Sequence, residues 1–217
     1  MSGPILSGAG DMSGPILSRA EDMSGPIRSG AGDMSGPILS GAGDIPEFTP
    51  RRTKGDENFY RTWDEYKHGF GVPPADFWLG NEAIHQLTNK HVYELRIDMR
   101  IDGKDLFAHY TTFKIENESD NYRLRLGHYS GTVGEQSESG LSYHKDAPFS
   151  TYDKDNDEVS VNCAKFRHGA WWYKRCYHCN LNGVWAVKKS RGMKWYTRNE
   201  WGGGVWASAT EMKIRRI

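Results

Sequence analysis

The sequence predicts an α+β fold with a central antiparallel sheet, short helices and a long loop-rich region, all placed within residues 45–217. Three observations predict it. Every aromatic residue lies at or beyond Phe48, so residues 1–44 cannot build a core of their own. From Tyr93 to Ile101 apolar and polar residues alternate, the two-residue period of a half-buried strand. After Gly127 that periodicity gives way to a stretch rich in Gly, Ser, Asp and aromatic residues.

Residues 1–44 are four copies of one eleven-residue unit, beginning at Met1, Met12, Met23 and Met34. Eleven is also the hendecad period of right-handed coiled coils. Each copy carries Ser-Gly-Pro, however, and in a helix interior Pro costs about 3 kcal/mol and Gly about 1. Gly does not fall at every third position, which excludes collagen. The repeats therefore read as a flexible Gly/Pro-rich linker. An oligomerisation stalk is the other reading, and a homo-oligomer is compatible with it.

Beyond Thr49-Pro50, Asp56 is placed to cap a short helix that carries Phe59, Trp63 and Tyr66 on one face and ends at Gly69. Asn81 precedes a second helical turn with Ala83, Ile84 and Leu87 on one side. The strand from Tyr93 runs into the hairpin turn Asp102-Gly103. A second run spans Leu106 to Ile115, and Tyr122, Leu124 and Leu126 mark a third. Short connections between consecutive strands imply antiparallel pairing. The irregular region that follows needs a staple, for which metal and disulfide are the usual choices.

Several function classes fall away. Lys+Arg and Asp+Glu balance at 28 each, so the basic excess that phosphate-backbone binding requires is missing and nucleic acid is not an expected partner. No apolar run reaches membrane-spanning length, and the N-terminus lacks the pattern of a secretory signal. Neither Gly-x-Ser-x-Gly nor His-Glu-x-x-His occurs. Gly202-Gly203-Gly204 lacks the Lys-Ser/Thr of a phosphate loop and reads as a turn between strands. No carboxylate spacing nominates an acid–base pair, and no catalytic activity is expected.

Two clusters carry chemistry. Asp153, Asp155 and Asp157 stand at alternate positions, an arrangement that can turn several hard oxygen ligands toward calcium. It is not an EF-hand, because Glu158 occupies the sixth position, where Gly is required, and Ala164 the twelfth. A solvated acidic loop is the plain reading. Cys163, Cys176 and Cys179 admit three. Zinc could take the thiolates with His178, although adjacent His178 and Cys179 converge poorly on one tetrahedral ion. A thiol-redox pair could use Cys176 and Cys179. A Cys163–Cys176 disulfide would add about 3 kcal/mol by loop entropy, leaving Cys179 as the odd thiol.

The stretch Phe149 to Trp185 reads FST, the Asp-rich loop, Asn-Cys-Ala, Gly-x-Trp-Trp-Tyr, Cys and Asn-Leu-Asn-Gly in order. It resembles the signature of the fibrinogen C-terminal-like domain, most similar to tenascin-type members. The likeness extends to Asn58–Trp63, Tyr66–Gly71, Phe77–Asn81, Tyr93–Arg96, Tyr129–Thr132 and Met212–Arg215, and so covers about residues 51–217. It implies an extracellular, calcium-stabilised recognition domain that binds matrix or cell-surface proteins or glycans. Calcium would be held by the side chains of Asp155 and Asp157 and the main-chain oxygens of Val159 and Val161, with Asp153 helping through water. The resemblance also implies the Cys163–Cys176 disulfide and a cis peptide at Arg175–Cys176, beside a pocket that in family lectins takes acetyl groups.

This sequence departs from the family at that pocket. Tyr177 stands where the family carries His, and Arg167, Lys189 and Ser190 replace Tyr, Tyr and Ala. The slot becomes cationic, suited to an acidic sugar, a sulfate or a protein carboxylate. The binding surface is expected to comprise Arg167, Arg175, Tyr177, Lys189, Ser190 and Trp195, with an acetyl-binding lectin as the alternative. The repeats stand where the family has an opening subdomain and strand, an exchange expected to leave a sheet edge or part of the core uncovered. Asn117-Glu118-Ser119 has the pattern of a glycosylation acceptor.

Overall fold

The computed structural model describes residues 50–134, 139–197 and 204–217, all within the unit Gly43–Ile217. The repeat at 1–44 and the proposed turn at Gly202-Gly203 lie outside the described residues.

Two short strands, β1 (Arg51–Arg52) and β2 (Phe70–Gly71), flank the first helix, α1 (Trp63–His68). That helix starts later than the position of Asp56 suggests. Thr62 is the N-cap, its hydroxyl accepting from the Glu65 amide while the Glu65 carboxylate accepts the Thr62 N–H, a reciprocal capping box. Gly69 ends it, with φ at 91°. Strand β3 (Phe77–Trp78) leads into α2 (Asn81–Lys90), whose N-cap is Gly80. Asn81 is the first helical residue, and its side chain accepts the Trp78 indole N–H at 3.0 Å.

The alternating segment forms β4 (Tyr93–Ile101), with every odd-numbered residue buried. Asp102 and Gly103 both have positive φ, 47° and 76°, as the tight turn into β5 (Lys104–Tyr110) requires. The run expected to reach Ile115 breaks at Thr111-Thr112, and Phe113–Ile115 forms a separate strand, β6. Among the described residues it pairs with β7 (Leu124–Leu126) alone. Beyond lie β8 (Tyr129–Gly131), a five-residue helix α3 (Cys163–Arg167), β9 (Cys179–Asn180), β10 (Lys194–Trp195) and the long β11 (Val205–Arg216).

The main sheet runs β2-β3-β1-β11-β4-β5-β8, and β10 joins β11 to β9. All its pairings are antiparallel. The last strand therefore occupies the middle, pairing along β4 from Ala207↔Ile101 to Arg216↔Tyr93 with a bulge near Ser208. On its other side β1 covers Thr210 and Glu211, and the Met212 N–H reaches the Pro50 carbonyl at 3.0 Å. Pro50 also rims a small apolar hollow of about 10 Å³ between Leu95, Phe113 and Ile214.

The inner face of the sheet meets an aromatic cluster. Trp78, Phe149, Trp172 and Tyr66 are fully buried, with ring centroids 5.2–6.4 Å apart. Each such side chain contributes about 1.5–3 kcal/mol through burial. The outer face carries a lattice of ion pairs, among them Arg51–Glu211, Arg96–Asp98, Arg100–Asp105 and Arg215–Glu94. Exposed pairs of this kind each add no more than about 1 kcal/mol.

The sheet and the loop-rich half are joined at Arg52. Its guanidinium lies 4.2 Å over Phe59 and donates to the carbonyls of Leu181, at 3.0 Å, and Gly183. Burial lowers its pKa to about 10. Gly183 and Gly192 permit the close crossing that follows, since a Cβ on Gly192 would sit 1.7 Å from the Val187 carbonyl oxygen.

Candidate functional site

The acidic loop is built before any metal is considered. Ser150 exchanges backbone hydrogen bonds with Trp171, and the Asn156 side chain donates to the Phe149 carbonyl at 2.7 Å. Asp157 accepts the Val159 N–H at 2.9 Å with one oxygen and the Cys163 N–H at 2.8 Å with the other. Asp155 accepts the Asp157 N–H at 3.3 Å, so the two carboxylates adjoin. Burial and the neighbouring Asp155 push the Asp157 carboxyl up to about 6, against the pull of its two amide donors. A hard divalent cation would offset that mutual repulsion.

The carbonyl oxygens of Val159 and Val161 accept no hydrogen bond among the described residues. The donor set expected for calcium, two carboxylates and two carbonyls, thus fits the ion chemically. Asp153 is differently engaged. Its carboxylate accepts the Trp63 N–H at 2.9 and 3.2 Å and the Thr151 hydroxyl at 2.7 Å, spending both oxygens on the start of α1. Accordingly, no three His, Cys, Asp or Glu side chains form a metal-holding group among the described residues.

Cys163 and Cys176 form a disulfide with Cα atoms 5.2 Å apart, and Cys179 is buried outside that bond. Cys176 is committed to the disulfide, which removes the zinc and dithiol readings. The expected cis bond at Arg175–Cys176 is absent; among the described residues the cis bond is Pro73–Pro74. The chain turns instead through Cys176 itself, at φ 47°, with the Lys174 N–H bonded to the Cys176 carbonyl at 3.1 Å. Glu158 N–H reaches the Lys174 carbonyl at 3.3 Å and ties this turn to the acidic loop.

Arg167, Tyr177 and Ser190 come together. The Arg167 guanidinium lies 4.6 Å over the Tyr177 ring, and the Tyr177 hydroxyl donates to the Ser190 carbonyl at 2.8 Å. Burial and the adjoining Tyr196 push that hydroxyl up to about 12. Lys189 and Arg175 are exposed, and their backbones are fixed by Trp206 and Tyr143 respectively. Trp195 is corrected: it sits in β10 with no exposed surface, supporting the site from within.

Sequence reasoning missed a neighbouring aromatic stack. Tyr143 stacks on His178 with centroids 3.9 Å apart and planes 14° apart, and Tyr196 lies 5.6 Å from His178. Behind it His144 is wholly buried. Its Nδ1 bonds the Trp172 carbonyl at 2.6 Å, and its Nε2 accepts the N–H groups of His178 and Cys179 at 3.1 and 3.0 Å. Burial pulls His144 down to about 3, so it is neutral with its proton on Nδ1. No local pattern around Ser142-Tyr143-His144 announces this role.

Charge supplies a signal that the sequence did contain. From Cys163 to Thr197 there are eight Lys or Arg residues and no Asp or Glu, although the whole chain is neutral. Among the described residues only Lys188 of these eight has a carboxylate within 4 Å, that of Asp102 at 3.5 Å. By contrast, a cavity of about 510 Å³ on the outer sheet face is lined by Arg51, Arg100, Asp105 and Glu211, whose charges are already paired. The longest stretch of cations uninterrupted by a carboxylate in the sequence therefore lies in the loops beside the disulfide.

This fold is shared with known proteins. Residues 41–217 match the family described as fibrinogen beta and gamma chains, C-terminal globular domain, and the chain belongs to that family. It is 44% identical to human tenascin-R over 167 residues, 76% of this chain and 12% of that protein. With human ficolin-3 it shares 46% identity over 147 residues, 67% of this chain and 48% of that one. The chain thus spans less than half the length of these relatives. Its fold matches the fibrinogen-like globe domain of human ANGPTL6 with a TM-score of 0.70 and 42% identity, covering 78% of this chain and 77% of that one.

Proposed function

We propose that this chain provides a non-catalytic, calcium-stabilised recognition domain, acting outside the cell, that binds anionic groups on matrix or cell-surface proteins and glycans. The observation that carries this reading is the segregation of charge: eight cations and no carboxylate between Cys163 and Thr197. Arg167 sits among them, stacked on Tyr177 and without a carboxylate within 4 Å among the described residues. A guanidinium fork matches carboxylate and sulfate geometry in a way that an ammonium does not. Calcium, when bound by Asp155, Asp157 and the carbonyls of Val159 and Val161, supplies the positive charge that holds the acidic loop in shape. The disulfide suits the oxidising, calcium-rich setting outside cells.

Binding to heparin-type sulfated beads tests the reading, with desulfated beads as control. Retention that needs sulfate and falls in Arg167→Ala supports it; equal retention on both beads overturns it. The stacked Tyr143–His178 pair favours one second reading, a lectin for acetyl groups, because an aromatic face accepts a methyl group. Displacement from a glycan surface by free N-acetylated sugar, insensitive to salt, would decide for the lectin.

A further inference from the structure

The geometry points to Asn117 as the site of an N-linked glycan, a modification that rests on the extracellular route proposed above. Asn117-Glu118-Ser119 is the one Asn-x-Ser/Thr triplet in the sequence. It opens a short 3-10 turn, Glu118–Asp120, in the connection from β6 to β7, and Asn117 is exposed.

The carboxamide is already oriented. Its Oδ1 accepts the Ser119 hydroxyl at 2.7 Å and the Asp120 N–H at 3.2 Å. Its Nδ2, the atom that would take the sugar, donates to no group among the described residues. Replacing one Nδ2 hydrogen therefore breaks no hydrogen bond and leaves no buried polar group unpaired. The turn is anchored by the residue between the two motif positions. Glu118 accepts the Trp63 indole N–H at 2.8 Å and the Lys67 ammonium at 2.7 Å. The middle residue thus faces the protein while the acceptor nitrogen is left to solvent.

The transfer forms a bond between Nδ2 and the anomeric carbon of the first N-acetylhexosamine of a lipid-linked oligosaccharide. The bond from that carbon to the lipid pyrophosphate breaks, the lipid pyrophosphate departs, and one Nδ2 proton passes to solvent. No change of oxidation state is involved.

The test uses the full chain behind a secretion signal, with a second Asn-Gly-Thr acceptor tag after Ile217, expressed in a eukaryotic secretory host. Occupancy at both acceptors is read by peptide mass spectrometry before and after enzymatic glycan removal. The expected result is occupancy of Asn117, lost in Asn117→Gln and Ser119→Ala and retained in Ser119→Thr. An occupied tag beside an empty Asn117 overturns the proposal alone. An empty tag shows that the chain is excluded from the secretory lumen, which overturns the extracellular reading and this proposal with it.

Discussion

Asp153 accepts the backbone N–H of Trp63 at 2.9 Å, across ninety residues of sequence. A carboxylate from the acidic loop thereby satisfies one of the orphan donors at the start of α1 and places negative charge at its positive end. This separates Asp153 from Asp155 and Asp157 in its hydrogen-bond partners as well as in position.

Asp153→Ala is expected to lower stability by about 1–2 kcal/mol, the cost of a lost helix-terminal acceptor. It should leave the calcium dependence of unfolding intact. Urea unfolding with and without millimolar calcium checks both parts. Loss of the calcium response in this variant would return Asp153 to the metal site.

Calcium itself should raise the unfolding midpoint of the chain, and Asp155→Ala and Asp157→Ala should each abolish the rise. At a calcium concentration one hundred times the dissociation constant the gain is about 2.7 kcal/mol. Thermal unfolding against calcium and against chelator measures it directly. A rise that survives both substitutions places the ion elsewhere.

The buried His144 makes stability fall in acid. Its folded pKa of about 3 lies below the ordinary value of 6.5, so between those limits the unfolded chain binds a proton that the folded chain refuses. Stability from this group is full above pH 6.5 and declines as pH falls toward 3, by up to about 1.4 kcal/mol per pH unit. The imidazole resonances of His144 should not titrate between pH 8 and pH 4.5. A midpoint near 6.5 in that NMR titration would refute the assignment.

Reduction of Cys163–Cys176 is expected to cost about 3 kcal/mol, since the bond links residues 13 apart in sequence. The acidic loop should loosen with it, because the Cys163 N–H is one of the two donors that hold Asp157. Calcium titration of the Cys163→Ser/Cys176→Ser double variant reads this as weaker binding. Unaltered affinity would show that the amide is held without the disulfide.

The sheet was legible where local period controls structure. Tyr93 to Ile101 alternates cleanly because one face meets the aromatic cluster and the other meets water, and Asp102-Gly103 fixes the turn. The break at Thr111-Thr112 was not legible, since both halves of the run carry strand-forming residues. Strand β11 shows the same alternation at Met212 and Ile214, yet nothing local places it between β1 and β4.

In the loop half no period exists to read. Its geometry comes from contacts between distant residues, such as Ser150 with Trp171 and His144 with His178 and Cys179, and family resemblance stood in for them. At the Arg175–Cys176 bond, which is not cis, the chain departs from what the resemblance implies. Trp195 was misplaced for another reason: an aromatic beside cations reads alike whether it faces ligand or core.

The central position of β11 has a consequence for biosynthesis. On the ribosome the β4–β5 hairpin emerges long before the strand that pairs along Tyr93 to Ile101, and until then that edge carries open hydrogen-bonding groups beside apolar Leu95, Ile97 and Met99. The nascent chain must therefore keep a sticky edge shielded through the synthesis of the whole loop half. Substitutions in β11 should consequently lower yield through aggregation during synthesis even where the finished domain would tolerate them.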